Sequence, residues 1–286
     1  MTALIVFLLF IGFQVAASLL AVLLSVNNVS GGGVTAATHA TPAAMCLALF
    51  ITEALLSIVL WTWYYKLQPR FDKLRQVSAV KSCQPAVSSS TSAATGHQLT
   101  DAPSALVTMP TAVLGRKVCF AVLSVTLLAF GLSLLLKPFD LADEGSSDLF
   151  RAMLAHPLSL IQLCLVGPLA EELVFRVGIV RSLHRKGLSP WLSAIIAAAA
   201  FAVVHGNPAQ MVPAFLIGVV LGLFYLRTGN LWLCLSAHIA NNVFAVVFLQ
   251  WPDALSFADN WPVEAVIALG LLHVGLGLLN AWRTLK

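Results

Sequence analysis

Long apolar runs constrain this chain more than any other feature of it. A helix that crosses a bilayer needs about 20 mostly apolar residues. Eight stretches reach or approach that length, at about 2–27, 43–65, 117–136, 157–180, 190–206, 209–226, 231–250 and 262–281. A soluble fold would have to cover these runs with polar side chains, and the chain does not carry enough: 59% of its 286 residues are hydrophobic and 10% charged. Soluble domains average about 25% charged residues. The expected fold class is therefore all-α, a polytopic membrane helix bundle of about eight transmembrane helices. The fifth and sixth runs are short and separated by the polar turn Gly206-Asn207-Pro208, which predicts a tight helical hairpin. The first run has no Lys or Arg before it and exceeds the roughly 7–15 residues of a signal-peptide core, so it reads as a span.

Charge sorts with this count. With both termini cytoplasmic, thirteen of the 16 Lys and Arg fall in inner loops and the tail, Lys137 and Arg151 fall outside, and Arg176 sits within a span. Cytoplasmic enrichment of Lys and Arg is the general membrane pattern. The net charge of +4 thus marks topology, and no nucleic-acid partner is expected. Three regions follow: residues 1–66, an N-terminal transmembrane helix pair; 67–116, a flexible cytoplasmic loop rich in Ser, Thr, Ala and Pro; and 117–286, a six-helix catalytic membrane core. The five cysteines show no CxxC spacing and read as small buried hydrophobes.

Ionisable residues within lipid are costly, which makes them functional candidates. The fourth run holds Glu171, Glu172 and Arg176, the fifth ends on His205, and the seventh holds His238, Asn241 and Asn242. Glu172 and Arg176 are four apart, one helical turn, and are expected to pair. Glu171 lies about 100° around the helix and is expected to be the free carboxylate. His238 and Asn242 are likewise four apart and share a face. Pro168 offers no N–H and is expected to kink the fourth helix. A carboxylate, two imidazoles and an amide make a workable hydrolytic site: the carboxylate as base and acid, a histidine orienting water, a His/Asn pair binding an oxyanion. The same groups, Glu171, His205 and His238, would alternatively hold a divalent metal such as zinc that activates water. Glu53 and His273, in the second and eighth runs, are each expected to make one interhelical hydrogen bond. Gly218 and Gly222 are expected to let helices pack closely.

Three motifs carry a resemblance. EELVFR fits EExxxR, FAVVH fits FxxxH through Phe201 and His205, and HIANN fits HxxxN through His238 and Asn242. In this order, on separate helices, they resemble the CAAX-protease and bacteriocin-processing (CPBP, or Abi) family of intramembrane endopeptidases, over about residues 150–250. The resemblance implies an eight-helix bundle and hydrolysis of a membrane-associated or lipidated protein or peptide by a glutamate-activated water. It implies Glu171 as base, His205 as its partner, His238 and Asn242 as oxyanion hole, and Glu172 and Arg176 as support. Eukaryotic members remove the last three residues of prenylated CAAX proteins. The expected partners are membrane lipid and such a substrate. The expected location is a bacterial inner membrane, with the endoplasmic reticulum as the alternative. The rival readings are a non-catalytic scaffold or immunity protein and a transporter. No HExxH or GxGD sequence is present. The rhomboid-like elements Gly131-Leu132-Ser133 and Ala237-His238 lack the glycines expected after the histidine.

Overall fold

The structure, a computed structural model, describes residues 2–27, 40–67, 69 and 111–286. Its long helices are α1 (Ala3–Asn27), α2 (Pro42–Trp61), α3 (Thr111–Leu136), the short α4 (Ser146–Met153), α5 (159–185), α6 (Pro190–Val203), α7 (Pro208–Thr228), α8 (Leu231–Gln250) and α9 (Val263–Leu285). Local chemistry sets their starts. Thr41, Ser189, Asn207 and Asn230 each accept a backbone N–H of the first turn, at Ala44, Leu192, Gln210 and Leu233. Pro42, Pro190 and Pro208 follow three of these caps, where a missing N–H costs nothing. Gly229, at φ 62°, ends α7 in the left-handed conformation that glycine adopts freely.

Among the described residues, six helices are long and apolar enough to cross a membrane: α1, α2, α3, α7, α8 and α9. Their outer faces carry exposed Leu, Ile and Trp, as lipid-facing surfaces do. The chain is an integral membrane protein. All eight expected runs form helices, but two differ from the rest. α5 carries Glu171, Glu172, Arg176, Arg181 and Arg185 along its length, and α6 has only 14 residues. α3 starts at Thr111, so residues 111–116, expected to close the cytoplasmic loop, are helix. Apart from Leu67 and Pro69, the remainder of that loop lies outside the described residues.

Small residues bring the helices together. A Cβ on Gly131 of α3 would lie 2.8 Å from the Gly270 carbonyl oxygen of α9, and one on Gly277 would lie 2.9 Å from the Ser124 carbonyl oxygen. Gly218 and Gly222 of α7 face Ala198 and Ala194 of α6 at 3.2 and 3.0 Å, the close hairpin their spacing predicts. The N-terminal pair packs on the core: Phe10 of α1 meets Phe175 of α5 edge-to-face, with centroids 5.5 Å apart.

α5 is not a uniform α-helix. Its turns widen to π-helix at Gln162–Val166 and again at Leu173–Val180, with α-helical Gly167–Glu172 between. Pro168 explains the first widening, because its ring clashes with the carbonyl one turn earlier and it has no hydrogen to give. The helix absorbs the expected kink as an inserted wide turn, a form often found at functional sites.

Candidate active site

Both glutamates of α5 reach one histidine. Glu172 Oε1 accepts from Nδ1 of His238 at 2.8 Å, and Glu171 Oε2 approaches Nε2 of the same ring at 3.3 Å. The expectation for Glu171 concerned the Glu172–Arg176 pair alone and did not foresee a shared histidine. The wheel angle is about 100°, but an imidazole has two divergent nitrogens, so one ring spans two carboxylates that do not face each other. Arg176 closes the other side, with its guanidinium 3.1 Å from Glu172 Oε1. The Glu172 and Arg176 side chains are 0% and 1% exposed, whereas the Glu171 side chain is 21% exposed. The carboxylate nearest to solvent or substrate is therefore Glu171.

Proton accounting follows from donors and acceptors. With Glu172 ionised opposite Arg176, His238 Nδ1 must be the donor between them. A neutral ring then presents a bare Nε2 to the bare oxygen of Glu171, so this approach needs one proton on either partner. The pair Glu171–His238 can share one proton.

His205 sits in the turn just past α6, and its Nδ1 donates to the Phe201 carbonyl at 2.8 Å. A carbonyl only accepts, so in the neutral ring Nε2 is left as the acceptor. The direct partner shown for His205 is thus Phe201; its expected contact with Glu171 is not among the hydrogen bonds and ion pairs described. Phe201 is the hub that the motif concealed. Its ring packs edge-on to His205 (4.7 Å) and His238 (5.8 Å), with the Arg176 guanidinium carbon 4.9 Å from its centroid.

Asn242 is held from α5. Gly167 N–H bonds to the Gln162 carbonyl, the wide-turn pattern, and so leaves the Leu163 carbonyl without its α-helical donor. The residue next in line is Pro168, which has no N–H to offer. The orphaned Leu163 oxygen accepts instead from the Asn242 amide at 2.8 Å. Asn241, expected to face a neighbouring helix, donates to Asn242 Oδ1 at 3.2 Å. Glu53 accepts two hydrogen bonds where one was expected, from Gln14 and Gln162. His273 bonds within its own helix, to Leu269, and packs against Phe130.

Among the described residues no three His, Cys, Asp or Glu side chains are gathered closely enough to hold an ion, the set Glu171, His205 and His238 included. A cleft of about 200 Å³, lined among others by Trp61, Tyr65, Arg181, Tyr225 and Trp232, contains none of the site residues.

The fold and the site define a membrane-embedded helix bundle with a buried Glu–His–Glu–Arg chain. Residues 153–244, which hold all six of its polar site residues, match the family described as "Type II CAAX prenyl endopeptidase Rce1-like", and over that stretch the chain is similar to it. It is 28% identical over 132 residues to a Bacillus subtilis (strain 168) protein named "Putative membrane peptidase YdiL". That alignment covers 46% of this chain, and the chain spans about half (53%) of the relative's length. No solved structure matches.

Proposed function

We propose that this protein is an intramembrane endopeptidase of glutamic type, hydrolysing a peptide bond in a membrane-associated or lipidated protein or peptide. The observation that carries the reading is the 3.3 Å approach of Glu171 to Nε2 of His238, whose other nitrogen is fixed by the buried Glu172–Arg176 pair. With the shared proton on His238, Glu171 is a carboxylate, free to take a proton from water as the water oxygen attacks the scissile carbonyl carbon. His205, anchored through Nδ1, offers Nε2 to orient that water. The oxygen of the tetrahedral intermediate takes hydrogen bonds from His238 Nε2–H and from the second amide hydrogen of Asn242. Collapse breaks the C–N bond, and the proton on Glu171 passes to the leaving amine. Glu172 and Arg176 touch no reacting atom and hold His238 in place.

The family description and the peptidase name of the bacterial relative support a peptide substrate, and a bacterial inner membrane is the proposed location. The test is turnover of quenched-fluorescence peptides, with and without an S-prenyl cysteine near the C-terminus, by purified protein in liposomes. Glu171→Gln should abolish cleavage of whichever peptides the unaltered protein cuts. Cleavage that persists in the folded variant would remove Glu171 from the mechanism, and binding without cleavage by both forms would favour a scaffold.

A further inference from the structure

Glu53 lies in α2, outside the segment that matches the family. Its residue is only 6% exposed. Its two oxygens have separate donors on separate helices: Gln162 Nε2 of α5 reaches Oε2 at 2.6 Å, and Gln14 Nε2 of α1 reaches Oε1 at 3.2 Å. Three polar side chains meeting in a hydrocarbon environment are expensive and call for a function. The carboxylate also presses on backbone. A Cβ on Gly167 would lie 3.2 Å from Glu53 Oε2, so the absence of a side chain there admits Glu53 to the wide turn itself.

That wide turn, Gln162–Val166, is the piece of α5 to which Asn242 is tied. Gln162 is clamped by Glu53, and the adjacent residue, Leu163, offers the carbonyl that orients the Asn242 amide. We propose that Glu53 is a positioning residue of the active site: by accepting from Gln162 it fixes the wide turn, and through the Leu163 carbonyl it aims the Asn242 amide at the reacting carbonyl. This inference rests on the endopeptidase reading. It extends the site beyond the matched segment, making α1 and α2 part of the catalytic apparatus.

The mechanism requires accepting oxygens, and it does not require a charge at residue 53. In Glu53→Gln the amide oxygen still accepts from Gln162, and Gln14 can turn its own carbonyl toward the new NH₂. Glu53→Leu strands both glutamines. The expected result is a kcat lower by about tenfold to a hundredfold in Glu53→Leu, the loss that a small misplacement of a catalytic group brings, with KM unchanged. Glu53→Gln should keep most of the wild-type kcat. A folded Glu53→Leu with wild-type kcat overturns the proposal, and so does Glu53→Gln as impaired as Glu53→Leu. If Glu53→Leu fails to fold, Gly167→Ala, which pushes a methyl group against the carboxylate, is assayed in its place with the same expected kcat loss.

A second measurement needs no substrate. Hydrogen exchange in full-length protein should speed up at the backbone amides of 163–167 in Glu53→Leu, with α9 unchanged. Unchanged exchange at 163–167 overturns the positioning role. Binding without cleavage by the unaltered protein, by contrast, sinks the endopeptidase reading and leaves the exchange result to stand by itself.

Discussion

Removing Arg176 alone should harm this protein far more than removing it together with Glu172. Both side chains are excluded from solvent, at 1% and 0% exposure, with nitrogen and oxygen 3.1 Å apart. The second oxygen of Glu172 has no hydrogen-bond partner and relies on the guanidinium charge. Breaking such a pair from one side leaves a buried uncompensated charge, which costs about 3–5 kcal/mol. Arg176→Met also deletes the guanidinium beside the Phe201 ring, an interaction of roughly 0.5–2 kcal/mol. His238 still donates to Glu172 and offsets part of the loss, so about 3–5 kcal/mol is the expected total for Arg176→Met. Glu172→Gln/Arg176→Met removes both charges at nearly constant volume and should recover about half or more of that deficit. The assay is a double-mutant cycle on reversible unfolding in mixed micelles, read by helical circular dichroism. Arg176→Met costing under about 1 kcal/mol, the range of exposed pairs, would refute the reasoning, as would a double variant no more stable than Arg176→Met.

Three further outcomes are expected. Asn242→Ala should lower kcat by about 10²–10³, the usual loss on deleting one oxyanion donor, with little change in KM, measured by steady-state peptide cleavage. Gly131→Ala should destabilise the fold by about 1–3 kcal/mol, since its methyl meets the Gly270 carbonyl of α9; the micelle unfolding assay reads it directly. Before α4, the Asp143 carboxylate is held below its usual range by hydrogen bonds from Ser147 and the Gly145 amide. Because the folded value is the lower one, the turn is fully held above about pH 3.9 and loosens as pH falls through the depressed value. The Ser147 amide resonance should shift in that acidic window and stay still in Asp143→Asn.

Spacing made much of this protein legible. The apolar runs marked every long helix, and i,i+4 separation placed Glu172 beside Arg176 and put His238 and Asn242 on one face. The helical wheel was less informative at Glu171, because it treats a partner as a point and the His238 ring is a two-ended bridge. It also assumes 3.6 residues per turn, an assumption that the wide turns of α5 break on both sides of the glutamates. Leu163 carries its part through a backbone carbonyl, which no side-chain pattern reports. Glu53 finds its donors 39 and 109 residues away in sequence, so nothing local distinguishes it from an ordinary packing contact.

α6 has one more consequence. Fourteen residues at about 1.5 Å each rise only about 21 Å, whereas a hydrocarbon layer is about 30 Å thick. A strand of lipid beside this helix meets protein that stops short, where Val204, His205 and Gly206 turn the chain back toward α7. The bilayer must dimple there or let solvent descend. The proposed hydrolysis consumes water, and a helix shorter than the hydrocarbon layer shortens the path from one membrane surface to His205.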